Sequence, residues 1–451
     1  MPPRLFVWAL WAMAGRGAPG GRGGGWGGGG GRTLAAVLMG VGCVAGLAGA
    51  VGALRSGGRV ELEMSWHLPW GAAAFLLDPL AAVFLVPVFL VPALGACYGR
   101  EYGEAEGASL RGGFLRFFYG LLAASMGLVT VARDSVFFLM AWEIMALSAF
   151  FAITVEKKED PAVSKAGWIY LAAAHLGTLC LVSLFTVLKK VSGSTLLASL
   201  PEGVDASTVS VLFVLALVGF GCKAGFMPLH VWLPGAHANA PSHVSAVLSG
   251  VMLKMGVYGI LRVAALLPGI QTWHGGVLLA AGGVSAVLGA ALALSQSDLK
   301  RALAYSSIEN LGIIAMGLGL ALAGRASGRW EWTLLGLAGA LLHVWNHSLF
   351  KSLLFMNAGA VVHAAHTRET AKLGGLGRAM PRTAVLFVIG AAGICALPGL
   401  NGFVSEWLLY AGLLRTLGAF GGGWVPAALA APALALVGAL ALACFVGLYG
   451  A

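Results

Sequence analysis

This sequence predicts an all-α polytopic membrane protein with about 12–13 transmembrane helices, and three observations carry that prediction. Hydrophobic residues make up 59% of the 451 residues and charged residues only 10%, with a mean hydropathy of +0.87. Soluble domains carry about 25% charged residues, so a soluble enzyme is a poor fit. Apolar runs of about 20 residues, the length that crosses a bilayer, recur along the chain, and most charges lie in the short loops between them.

Residues 1–33 stand apart. A ten-residue apolar piece, Leu5 to Ala14, precedes a stretch in which 12 of the 17 residues from Gly15 to Gly31 are glycine. Glycine at that density does not hold a helix, and about 10 apolar residues fall short of a bilayer. The segment reads as a degenerate first span or as non-native sequence from an upstream start, with a signal-peptide core as the alternative. Spans then follow at roughly 34–54, 71–98, 115–133, 134–154, 165–188, 210–229, 241–267, 277–295, 302–323, 333–363, 383–413 and 425–450. The chain stops at Ala451, hard against the last apolar run, which fits a natural terminus or a truncation.

The formal charge is +10, but no basic run exceeds two residues, which argues against nucleic-acid binding. The loops at 99–116, 155–165, 230–240, 296–301 and 364–382 hold twelve Lys and Arg residues against eight in the opposite loops. The positive-inside rule places the first set in the cytoplasm. Six cysteines stand singly, without CxxC or iron–sulfur spacing, so no redox centre is expected on this polypeptide.

Ionisable residues inside spans carry the functional signal, because each costs roughly 2.5–3.5 kcal/mol at a helix centre and usually faces an interior path. Glu143 lies mid-span in FLMAWEIMALSAF, as a proton site, a counter-ion to a buried lysine, or a neutral carboxyl bonded to backbone. Lys223 comes five residues before Pro228, and Pro234 follows. Proline breaks a helix there, and broken helices are how transporters build ion sites. His243 and Lys254, eleven residues apart on one helix, fall on one face. His230 and His237 lie in the joint between these spans and suit lining a mouth or hydrogen-bonding the broken backbone. His343, His347 and Lys351 recur at i, i+4 and i+8, stacking three titratable groups on one stripe. An HxxxH pair also suits zinc. However, Val344 stands where the zincin pattern needs glutamate, and Lys351 would repel a cation, so a proton relay or structural polar packing fits better. His363 lies near a span end and carries less weight. In ALPGLNGFVSEWLLY, Pro398, Gly399 and Gly402 interrupt a second helix beside Glu406, repeating the device at Lys223. Asp78, before Pro79, suits a helix cap or an interface as well as function. SQSDLKRALAYSSIENLG reads as a capped helix start, or as a contact with a partner protein or with the ends of the transport helices.

Three blocks, GFGCKAGFMPLHVWLPGAHANAPSHVSAVLSGVMLKMGVYGILR, SQSDLKRALAYSSIENLG and HVWNHSLFKSLLFMNAGAVVH, resemble the antiporter-like proton-conducting subunits of respiratory complex I, membrane-bound hydrogenases and Mrp-type sodium/proton antiporters. The likeness runs from about residue 71 onward, and PSHVSAVLSGVMLK is most similar to the hydrogenase-4/formate hydrogenlyase membrane-subunit branch. That resemblance implies two inverted five-helix repeats, each with a broken helix, at 115–267 and 277–451 after N-terminal helices at 34–133. It implies Glu143 and Lys223 as a glutamate–lysine pair, Lys254 as a linking lysine, His347 and Lys351 on a connecting helix and Glu406 at the far end. It further implies a prokaryotic plasma-membrane location and partner subunits holding iron–sulfur and nickel–iron or flavin centres. Complex-driven proton translocation is then the expected activity, with sodium/proton antiport as the alternative. The family core has fourteen helices, so this chain lacks the last and has a poor first one.

Overall fold

In the computed structural model, residues 29–64, 73–102, 110–155, 159–417 and 425–450 are described. The chain runs α1 (Gly29–Ser56), β1 (Val60–Met64), β2 (Ala73–Leu77), α2 (Pro79–Tyr102), α3 (Leu110–Val131), α4 (Ser135–Thr154) and α5 (Pro161–Ser192). Next come α6 (Ala206–Ala224), α7 (Leu233–Asn239), α8 (Ser242–Leu266), α9 (Thr272–Leu294), α10 (Leu299–Ala326) and α11 (Trp330–Ala365). Last are α12 (Pro381–Ile394), α13 (Asn401–Leu417) and α14 (Val425–Gly450). Among the described residues, eleven helices are long and apolar enough to cross a membrane, and α12 with α13 accounts for the remaining expected span. The fold class is the one the composition predicts. The short apolar piece at Leu5–Ala14 lies outside the described residues, and α1 begins within the last glycines, at Gly29.

One expected span is shorter than its apolar run. Residues 73–77 pair antiparallel with Val60–Met64 in a two-stranded sheet, and Asp78 then caps α2 by accepting a 2.8 Å bond from the Ala81 N–H. Asp78 also receives a bidentate pair from Arg262 on α8, at 2.5 and 2.8 Å. Burial alone would raise the Asp78 pKa, but the Arg262 guanidinium more than offsets it and holds the carboxyl below its usual range.

Loop contacts sort the helix ends onto two faces. On face A, Arg111 pairs with Glu159 at 2.6 Å, Arg368 donates to the Ala238 carbonyl at 2.6 Å and Lys300 to the Ala240 carbonyl at 2.5 Å. On face B, Ser135 donates to Thr195 at 2.9 Å, Leu200 to Leu266 at 3.0 Å, and Arg325 to Ala264 and Leu267 at 2.6 and 2.8 Å.

Both broken helices are present, with the breaks set by backbone conformation. The joint expected at Pro228 opens earlier, because Gly225 adopts the left-handed conformation at φ 78° and ends α6. Trp232 Nε1 then satisfies the Cys222 carbonyl at 2.9 Å, and the Met227 N–H bonds Ser285 Oγ at 3.0 Å. The second break, residues 395–400, includes Ala396 at φ 50° and Gly399 at φ 90°.

Two helices are central: the most apolar windows of α8 and α10 are 94% and 100% buried. Small residues let α10 sit that deep. A Cβ at Gly282 of α9 would meet the Gly312 carbonyl at 2.7 Å, and one at Gly289 would meet Glu309 Cα at 2.9 Å. Gly282→Leu is therefore expected to force α9 off α10, with an overpacking cost of about 1–3 kcal/mol or more. A fall in the thermal midpoint of the detergent-solubilised protein checks this; an unchanged midpoint would mean the helices are not in close register.

Candidate functional site: a buried polar chain across the helices

Most of the candidate residues gather on the inward faces of α4 to α13. Glu143 (α4) is half-buried. Its carboxylate accepts a 2.5 Å bond from Thr178 Oγ1 and lies 3.6 Å from His175 Nε2, both on α5. Lys223, two residues before the Gly225 break, is buried and donates to Tyr170 OH at 3.2 Å. Its ammonium also lies 5.4 Å from the Trp142 ring centroid and 5.2 Å from that of Tyr170. Desolvated cation–π contacts of this kind are worth about 2 kcal/mol and partly replace lost hydration. The glutamate–lysine pair that the resemblance implies is thus an indirect one. Among the described residues the two make no ion pair, although Glu143 lies within electrostatic reach of Lys223.

The next node is built by an irregular turn. Within α8, Leu248–Met252 is π-helical, so the Leu253 N–H reaches back five residues to the Leu248 carbonyl rather than to Ser249. The Ser249 carbonyl instead takes a 2.5 Å bond from Lys254 Nζ, which also contacts His347 Nδ1 on α11. π-turns of this kind concentrate at functional sites. The same turn shifts the helical register, and the shared face expected for His243 and Lys254 is not formed. His243 packs on Tyr119 of α3 at 5.4 Å, while Lys254 faces α11.

The stripe on α11 holds as spaced. His343 bonds Ser405 Oγ at 2.9 Å through Nδ1 and Asn310 Oδ1 at 3.1 Å through Nε2. His347 meets Lys254, and Lys351 donates to the Leu303 carbonyl at 2.8 Å and to Ser306 Oγ. All three are fully buried. Among the described residues, no group of three or more His, Cys, Asp or Glu side chains is placed to hold a metal ion. At the second break, Asn346 Nδ2 donates to the Asn401 carbonyl at 2.7 Å and to Ser405 Oγ at 2.9 Å, tying α11 to the start of α13. Glu406 follows Ser405 on α13 and is buried.

Sequence reasoning misses one member outright. Glu309 is the lone carboxylate within α10, is 1% exposed, and its Oε2 has no hydrogen-bond partner among the described residues. It lies within electrostatic reach of Lys351 and Glu406. The signal is there, since Glu309 stands mid-span, but it is absorbed into a block that reads as a helix start. His175 and Tyr170 also escape notice, in a span whose lysines lie only at its ends. His237, expected to line a mouth or bond the broken backbone, is fully buried and stacks on Phe355 at 5.2 Å, with neither ring nitrogen bonded among the described residues.

Buried lysines, histidines and carboxyls spread over seven helices, with two helix breaks and a π-turn among them, suit stepwise proton transfer across the bundle. The chain is 38% identical over 422 residues to hydrogenase-4 component B of Escherichia coli, covering 91% of this chain and 61% of that protein. It is 35% identical over 418 residues to formate hydrogenlyase subunit 3 of the same organism, covering 91% of this chain and 67% of the relative. The chain thus spans roughly three fifths to two thirds of the length of these relatives. The solved structure of an Mrp complex from Dietzia sp. superposes with a TM-score of 0.83 at 27% identity, over 98% of this chain and 46% of that one. The sequence profile of the NADH:quinone oxidoreductase/Mrp antiporter transmembrane family matches residues 132–421, and the chain belongs to that family.

Proposed function

We propose that this chain is the proton-translocating membrane subunit of a hydrogenase-type or NADH:quinone oxidoreductase-like complex in a prokaryotic plasma membrane. What supports the reading is the set of ionisable residues buried within the helices, Lys223, Lys254, His343, His347, Lys351, Glu309 and Glu406, with half-buried Glu143 on α4. No stability argument accounts for so many desolvated charges, because burying each one costs several kcal/mol. Face A, the side with more Lys and Arg, is the cytoplasmic one. The two five-helix runs at 115–267 and 277–451 act as inverted repeats, each with its fourth helix broken.

In this reading, partner subunits holding iron–sulfur and nickel–iron or flavin centres carry the electrons. Charge movement there is felt first at Glu143, which is half-buried and so within reach of a neighbouring subunit. It alters the Glu143–Lys223 interaction and hence the affinity of Lys223 for its proton. Protons then step through Lys254 and His347 and past Lys351 toward Glu309 and Glu406. Positioned acid–base groups of this kind typically contribute about 10²–10⁴-fold to proton-transfer rates.

The likeness to the Mrp complex favours sodium/proton antiport as the second reading. Proteoliposomes containing the assembled complex distinguish the two. Electron transfer should drive proton movement in sodium-free buffer. Proton movement that requires sodium, or that needs no electron donor, would favour the antiporter.

A further inference from the structure

We propose that the chain carries a binding site for one anionic phospholipid on face A, where the start of α12 meets the end of α14. An apolar groove of about 300 Å³ lies there, walled by Val361, Ala384, Phe387, Leu448 and Tyr449 and bounded above by Met380. Its floor is aromatic: the Phe387 ring stacks on Tyr449 at 6.4 Å and lies 6.5 Å from Phe445. The groove sits at the periphery of the bundle, since Val385, Leu386, Val388 and Ile389 on α12 are all exposed. That is the pattern of a helix facing hydrocarbon.

The rim has the opposite character. Arg378 and Arg382 are next in sequence to the groove residues Gly377 and Thr383, and both are exposed. Neither forms an ion pair among the described residues. The neighbouring cations do: Arg368 binds Asp298 at 2.6 Å and Lys372 binds Glu369 at 2.7 Å. The start of α12 adds a third feature. Its cap, Met380, offers no side-chain hydrogen bond, and Pro381 stands at the first turn. Pro381 has no N–H, and the N–H groups of Arg382 and Thr383 stand in the first turn beside the groove residue Thr383, where a helix start attracts anions.

An acyl chain fits the aromatic groove, and a phosphate fits two unpaired guanidiniums beside an uncapped helix start. Charge selects the lipid. A zwitterionic headgroup gains little from the two arginines, whereas an anionic one gains about 5-fold in affinity from each, or about 30-fold from both. The inference depends on neither the transported ion nor the redox partners.

The test uses diazirine-tagged phosphatidylglycerol and phosphatidylcholine in native membranes holding the protein in its assembled state. Phosphatidylglycerol should label residues 376–387 and 445–450, and phosphatidylcholine should label them at least about 5-fold less. The Arg378→Gln, Arg382→Gln double variant should lose about 30-fold of the anionic labelling, and the Arg378→Lys, Arg382→Lys variant should retain most of it. Equal labelling by both lipids, or labelling unchanged in the glutamine variant, would overturn the site. Absence of labelling by either probe would overturn it too, because the groove would then be covered by protein.

Discussion

Replacing Lys254 with methionine is expected to abolish proton translocation while leaving the protein folded. Lys254 is fully buried, and its ammonium joins the π-turn carbonyl of Ser249 on α8 to His347 on α11. Methionine fills a similar volume but neither holds nor passes a proton. Two acceptors lose their donor, at about 1–3 kcal/mol each. Against that, a desolvated charge disappears, and replacing buried charge with apolar volume is often neutral or stabilising. Net stability should therefore move little, and proton transfer should fall roughly 10²-fold or more. Redox-driven quenching of a pH-sensitive dye in inverted vesicles measures the loss, with immunoblotting of the assembled complex as the folding control. Lys254→Arg, which keeps the charge but does not readily give up its proton, should be nearly as inactive. Substantial pumping in either variant would remove Lys254 from the path.

Glu309→Leu is expected to separate function from stability. The carboxyl is buried with an unpartnered Oε2, between Lys351 and Glu406 in the electrostatic sense. A purely structural residue would not be kept in that state, since an unsatisfied buried polar oxygen costs about 1–3 kcal/mol. Leucine removes that cost, so the thermal midpoint should hold or rise, whereas proton transfer should drop roughly 10²-fold. Glu309→Asp, which retains the ionisable group on a shorter stem, should recover part of the rate. A lower thermal midpoint with normal pumping would mark Glu309 as a packing residue.

Much of this is legible in the sequence because membrane insertion is so restrictive. Long apolar runs leave few alternatives to helices, and the i, i+4, i+8 stripe at His343, His347 and Lys351 holds because α11 is a continuous helix there. The misses arise where the backbone leaves the regular helix. Counting residues puts His243 and Lys254 on one face, but the turn at Leu248–Met252 adds a residue and rotates what precedes it. Proline is the visible breaker near Lys223, yet Gly225 ends the helix because it adopts a left-handed conformation at little cost. Side-chain partnership is harder still. Nothing in the spacing of Glu143 and Lys223 shows that Trp142 and Tyr170 hold the lysine while Thr178 and His175 take the carboxylate. Glu309 is hidden by its surroundings, because a motif that begins with loop charges draws attention to Asp298, Lys300 and Arg301.

The most direct test of the account is the number of protons moved per electron by the assembled complex carrying Lys223→Met, measured in vesicles alongside the rate of electron transfer. Coupling through the Glu143–Lys223 interaction predicts that redox-driven proton movement through this subunit ceases while partner-subunit electron transfer continues at a reduced rate. An unchanged proton-to-electron ratio in that variant would contradict it.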